Sequence, residues 1–154
     1  MDGQDVYVQK MEAIFIYHFA NYLEWPAERK DKLYFVIGVY GETELLAEIQ
    51  DVALKKQKVG GKPILIKKYK FVKDISDCDL VVIPSEYSAG FVSVLTKVDP
   101  LNIPIITEDE GYTNKGACFS FSYKGGKLNF QMNKKNLEQK GIKVSTDLER
   151  LSKN

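Results

Sequence analysis

The sequence predicts an α/β fold: a mostly parallel central sheet flanked by helices on both faces, with a C-terminal antiparallel hairpin and two short helices. Two observations predict the parallel part. Short, continuous apolar runs recur through the first two thirds of the chain, and helix-length segments separate them, the pattern of buried strands joined by crossover helices. The third observation is a change of pattern near the end, where two strand-length runs flank Gly125-Gly126, a hairpin signal.

The elements follow in order. Tyr7 to Tyr22 reads as a helix, with Val8, Met11, Phe15, Phe19 and Tyr22 at three- and four-residue steps and Pro26 as its stop. Ile14, Ile16 and Leu23 fall off that stripe, so most of the circumference is apolar and the helix is expected to be buried in the domain or against a partner. Leu33 to Tyr40 is the first buried strand, and Glu44 to Lys55 a helix with Leu45, Leu46, Ile49 and Val52 inward. Gly60-Gly61 turns into strand Ile64 to Tyr69, whose Lys67-Lys68 suits a sheet edge. Phe71 to Ile75 fits one helical turn and Leu80 to Ile83 the third strand. Ser85 or Ser88 is placed to cap a helix through Val98, and Ile103 to Thr107 is the fourth strand. Ala117 to Tyr123 and Lys127 to Met132 form the hairpin. Asn133 caps a short helix ending at Gly141, and Ser145 caps the last one, carrying Leu148 and Leu151.

With 154 residues, 44% hydrophobic and 28% charged, the chain suits one domain that needs no disulfide or metal to fold. A net charge of +1 gives no global field for nucleic acid or membrane. No apolar run approaches the roughly 20 residues of a membrane span. The eight lysines between Lys55 and Lys73 carry no arginine among them and read as a soluble edge rather than a nucleic-acid groove.

Assembled catalytic apparatus is absent from the sequence. Gly38 to Thr43 joins a strand to a helix but lacks the third glycine of a dinucleotide loop and the Gly-Lys-Ser/Thr of a P-loop. His18, the one histidine, sits mid-helix with no carboxylate or cysteine at metal-ligand spacing. Cys78 and Cys118 read as buried reduced thiols; a disulfide between them requires Cα atoms within about 7 Å. No cofactor or metal is implied. The carboxyl ends of parallel strands gather Glu42, Ser85, Glu86, Asp109 and Glu110 on one edge, where open α/β sheets bind ligands, and a site there favours a cation or a basic segment. An α/β hydrolase-like or metal-dependent enzyme using Ser85, Asp109 and Glu110 is the alternative, against which stands the want of a base for Ser85. Trp25, with Glu24, Tyr22 and Ile16, is the expected partner contact; the competing expectation is that Trp25 folds back to staple the helix to the sheet.

The run from Ala13 to Pro26, ending Glu24-Trp25-Pro26, closely resembles the opening of the YfiR family of small exported regulators. Val36 to Gly41, Val59-Gly60-Gly61-Lys62-Pro63, Cys78 to Ile83 with Ser85-Glu86, and Leu128 to Asn133 followed by Gly141 and Val144 to Leu151 continue it in order. The resemblance implies a non-enzymatic periplasmic protein that restrains a membrane-bound diguanylate cyclase, or serves a membrane sensor kinase, by contact on the extracytoplasmic side. A homodimer and a small ligand are compatible with it, and direct membrane insertion is not.

Overall fold

The computed structural model describes residues 3–152. Helix α1 (Gly3–Tyr22) runs into a two-residue strand, β1 (Leu23–Glu24). There follow β2 (Phe35–Tyr40), α2 (Glu44–Lys56), β3 (Lys58–Val59), β4 (Lys62–Tyr69), β5 (Leu80–Ile83), α3 (Phe91–Val98) and β6 (Ile105–Thr107). The last third supplies β7 (Phe119–Lys124), β8 (Lys127–Met132), α4 (Lys134–Gln139), β9 (Lys143–Val144) and α5 (Thr146–Leu151). This is a mixed α/β architecture with a seven-stranded sheet in the order β3-β4-β2-β5-β6-β7-β8. The pairings from β4 through β7 are parallel, and β3·β4 and β7·β8 are antiparallel. A second, two-stranded antiparallel sheet pairs β1 with β9, setting Leu23 against Val144. These two-residue strands have no signal in the sequence.

Alternation along β2 sorts the core into two layers, because successive side chains point to opposite faces. Phe35, Ile37 and Val39 join α1 and α2 through Ile16, Phe19, Leu45 and Ile49. Val36 faces the other way, with Val81, Ile83 and Ile105, and meets Phe91, Val94 and Val98 of α3. The centre of the first layer is aromatic. Phe19 stacks on Phe119 at a centroid distance of 4.0 Å and meets Phe130 edge-on at 4.9 Å.

β4 has no strand along its outer side beyond the short pairing of Lys58-Val59 with Lys62-Pro63, so Lys67 and Lys68 occupy an edge. The two C-terminal caps are made as expected: Asn133 accepts from Asn136 N at 3.0 Å and Ser145 from Leu148 N at 3.1 Å. Ser85 and Ser88 cap nothing. Residues Ser85–Gly90 form 3₁₀ turns, α3 starts only at Phe91, and both hydroxyls donate to Asp109 instead.

The face of α1 is also corrected. Ala13, Ile16, Phe19 and Ala20 form the buried stripe, so Ile16, 1% exposed, has no free surface for a partner. Tyr22 is 49% exposed, because the helix ends there, past the sheet. The small Ala13 and Ala20 let α1 approach closely, which rotates the stripe by one position from the one drawn through the large residues.

Cys78 and Cys118 are both buried free thiols. Cys78 belongs to the α3 layer and Cys118 to the α1 layer, on opposite faces of the sheet. Burial pushes each thiol up to about 12. In mildly alkaline buffer neither is expected to react with a thiol reagent until the protein unfolds, after which both should; labelling of the folded protein would contradict this placement.

The α1 correction is testable too. Phe19→Ala is expected to cost about 3–5 kcal/mol in urea denaturation. Tyr22→Ala is expected to stay within about 1 kcal/mol of the parent. Equal losses at the two positions would mean that the helix is rotated from this placement.

Candidate functional site

Two hollows lie at opposite ends of α1. The first is a cleft of about 270 Å³ at its C-terminal end, lined by Ala20, Leu23, Trp25, Phe35 and Val59, with Lys30 and Lys62 at the rim. Pro26 and the following 3₁₀ turn (Ala27–Arg29) reverse the chain there. Trp25 folds back: its Nε1 donates to the carbonyl of Ala20 at 2.9 Å and its ring meets Phe35 edge-on at 5.1 Å. It thus staples the end of α1 to β2, yet one side of the ring still lines the cleft. Beside it Glu24 and Tyr22 are exposed, as are Leu33 and Tyr34 just ahead of β2.

The floor of this cleft is held by charge. The Asp79 carboxylate, buried at the start of β5, accepts from Arg29 Nε and from Val36 N, both at 2.7 Å. Arg29 also donates to Asp77 at 2.9 Å. The Lys62 ammonium donates to the Arg29 carbonyl at 2.6 Å. One carboxylate therefore ties the α1–β2 connection to two strands of the sheet, and the cleft is walled by fixed backbone.

The second hollow, about 390 Å³, lies at the other end of α1, against the loop after β6. Glu12 from α1 meets Glu108 and Asp109 there, with Ser85 opposite. Asp109 accepts from Ser85 Oγ and Ser88 Oγ, each at 2.7 Å, and Glu108 accepts from Ser85 N at 2.9 Å. Thr107 Oγ1 donates to the Asp109 carbonyl at 2.8 Å and fixes the loop from below. Glu12 is only 4% exposed. Burial, then a hydrogen bond to Glu108 and the charges of Glu108 and Asp109, pushes its carboxyl up to about 10. The sign follows from linkage: the fold favours neutral Glu12, a contribution complete below its ordinary 4.5 and lost as pH rises toward 10.

The edge expected to gather five ligand-binding residues is divided. Strands β2 and β5 are where the order of the parallel sheet reverses, the usual ligand crevice of such sheets. Tyr87 fills it. Gly41 adopts φ +110°, and a Cβ on it would lie 2.3 Å from the Tyr87 ring, so glycine is required on both counts. Glu42 lines a separate hollow with Lys68, to which it pairs at 2.8 Å. Glu86 is exposed and lines neither. Glu110 remains at the second hollow, paired to Lys124 at 3.2 Å. The run Glu108-Asp109-Glu110 was legible in the sequence as an acidic strand end, whereas Gln9 and Glu12 were missed as members of this site. The available signal was Glu12 itself, an acid inside the apolar run from Met11 to Phe19.

Nothing here supports an acyl-transfer centre. The Ser85 hydroxyl faces a carboxylate, and His18 instead packs against Tyr17 and Tyr22 with Lys56 nearby. Burial, then the Lys56 charge, lowers the His18 pKa. Among the described residues no group of three or more acidic, histidine or cysteine side chains is arranged to hold a metal ion, and no helix is long and apolar enough to cross a membrane.

No curated protein matches the chain in sequence. The model of the YfiR/HmsC-like family does, over residues 9–153, a span that takes in most of α1, nearly all the residues lining the two hollows, and the pair β1·β9. Glu12 of α1 and Trp25, just beyond it, both lie within the matched region, and the protein belongs to the YfiR/HmsC-like family.

Proposed function

We propose that the protein is a non-enzymatic periplasmic regulator in cyclic-di-GMP signalling, a single domain that acts by docking on the extracytoplasmic portion of a membrane-bound diguanylate cyclase or sensor kinase. Family membership supports the regulatory class. The observation that carries the docking reading is the cleft at Trp25: an apolar concavity with a rigid, hydrogen-bonded tryptophan in its wall. A fixed aromatic costs little entropy on binding and is the commonest kind of interface anchor. Exposed Tyr22, Leu33 and Tyr34 extend the apolar surface, and Glu24 and Lys30 supply a polar rim. A short apolar segment of the partner, with acidic flanks to meet Lys30 and Lys62, fits this chemistry.

Gly60 offers a test that spares the fold. It lines the cleft at φ +56°, and a Cβ there would have nothing within 4 Å. Gly60→Asn tolerates that backbone and narrows the cleft. Its affinity for the extracytoplasmic portion of a membrane cyclase or sensor kinase that binds the parent protein is expected to fall at least tenfold, roughly 1.4 kcal/mol, with unchanged circular dichroism. Trp25→Ala should weaken both binding and stability. Binding that both variants leave intact would move the interface elsewhere.

A further inference from the structure

The acidic hollow between α1 and the β6 loop carries an inference independent of partner docking. Gln9 and Glu12 are three residues apart, hence neighbours on one face of α1. Both line the hollow, and each has a buried side-chain oxygen with no hydrogen-bond donor, Gln9 Oε1 and Glu12 Oε1. A buried acceptor without a donor is costly and rare in folded proteins, and two in one place mark a position that a donor should fill. Around them stand the carboxylates of Glu108 and Asp109, so the donor that fits also carries positive charge. The remaining wall is apolar and aromatic, from Val8, Phe121 and Tyr123.

We propose that this hollow binds a small organic amine, whose ammonium group donates to Gln9 Oε1, Glu12 Oε1 and Glu108 while its methylenes lie along Val8 and Tyr123. The donor set favours an ammonium over a divalent metal. Both Asp109 oxygens are engaged by Ser85 and Ser88, one Glu108 oxygen by Ser85 N, and Glu110 by Lys124. Too few free carboxylate oxygens remain to replace a metal's hydration shell, whereas an ammonium needs three acceptors. The charge balance is explicit. Without ligand the Glu12 carboxyl holds its proton in a hydrogen bond to Glu108, beside Asp109, and loss of that proton frees the Glu108 oxygen to accept from the ammonium. The arriving ammonium takes over that neutralising role, and the Glu12 proton leaves to solvent. Binding at neutral pH therefore releases up to one proton per amine. Among the described residues, the titratable groups facing Glu12 are Glu108 and Asp109, with the Glu110–Lys124 pair and Tyr123 farther out.

The probe is 1,4-diaminobutane, titrated into the full chain by isothermal calorimetry in two buffers of different ionisation enthalpy, with 1,4-butanediol as the uncharged control. Saturable binding of the diamine and not the diol is expected, with a heat that depends on the buffer because a proton is released. Glu12→Gln copies the neutral carboxyl, so it should fold with an unchanged or raised melting temperature, yet bind the diamine at least tenfold more weakly and release no proton. Glu108→Gln should also bind more weakly. Absence of saturable diamine binding by the parent protein overturns the proposal. So does affinity unchanged in Glu12→Gln, or a calcium titration that saturates the same site and displaces the diamine.

Discussion

Everything else in this molecule depends on where Phe19 sits. Its ring lies flat on Phe119 and edge-on to Phe130, so the C-terminal hairpin of the sheet grips the first helix at its last turn. Aromatic pairs at such geometries contribute beyond their buried area, and the interior around them tolerates little displacement. Because α1 is rigid over its length, fixing its last turn sets the path of the rest. The N-terminal half is thereby set against the β6 loop, and Trp25 against β2. Neither hollow is built by a loop alone.

The two ends are held by opposite physical strategies. At Trp25 the buried charges are paired: Asp79 is satisfied by Arg29 and a backbone amide, with one guanidinium nitrogen left over, and the cleft above is largely apolar. Such a surface gains free energy by excluding water. At Glu12 the carboxyl is retained in the neutral form with an oxygen unpartnered. That arrangement costs stability in the free protein and is the kind of local inconsistency that marks functional positions rather than structural ones.

The elements with strong local patterns were legible in the sequence. Leu80 to Ile83 has the strand limits found in the structure, β2 lies within the run from Leu33 to Tyr40, and Gly125-Gly126 places the hairpin turn. What could not be read was anything decided by distant partners. β1 and β9 are two residues each and exist because they meet. The apolar face of α1 was drawn through its largest residues, whereas small Ala13 and Ala20 set the real contact and carry Ile16 inward. The acidic edge was assigned from the rule that strand ends bind ligands. The rule cannot foresee that Tyr87 would occupy the crevice, or that Glu12 would arrive from a helix some 95 residues away in sequence. Ser85 and Ser88 were plausible caps by type, but the segment they open is a 3₁₀ run, α3 begins only at Phe91, and their hydroxyls turn to Asp109.

The pairing of Leu23 with Val144, together with the stack of Phe19 on Phe119, has a consequence for how the chain comes together in time. The first helix has burial partners nearby in sequence, in β2 and α2, but its aromatic stack closes only on the last third of the chain. Closing so long an interval costs chain entropy, so the contacts of α1 with β2 and α2 can form ahead of its contacts with β7, β8 and β9. Completion is thus deferred until the final hairpin and the tail bearing β9 are present, and then occurs as one closing event.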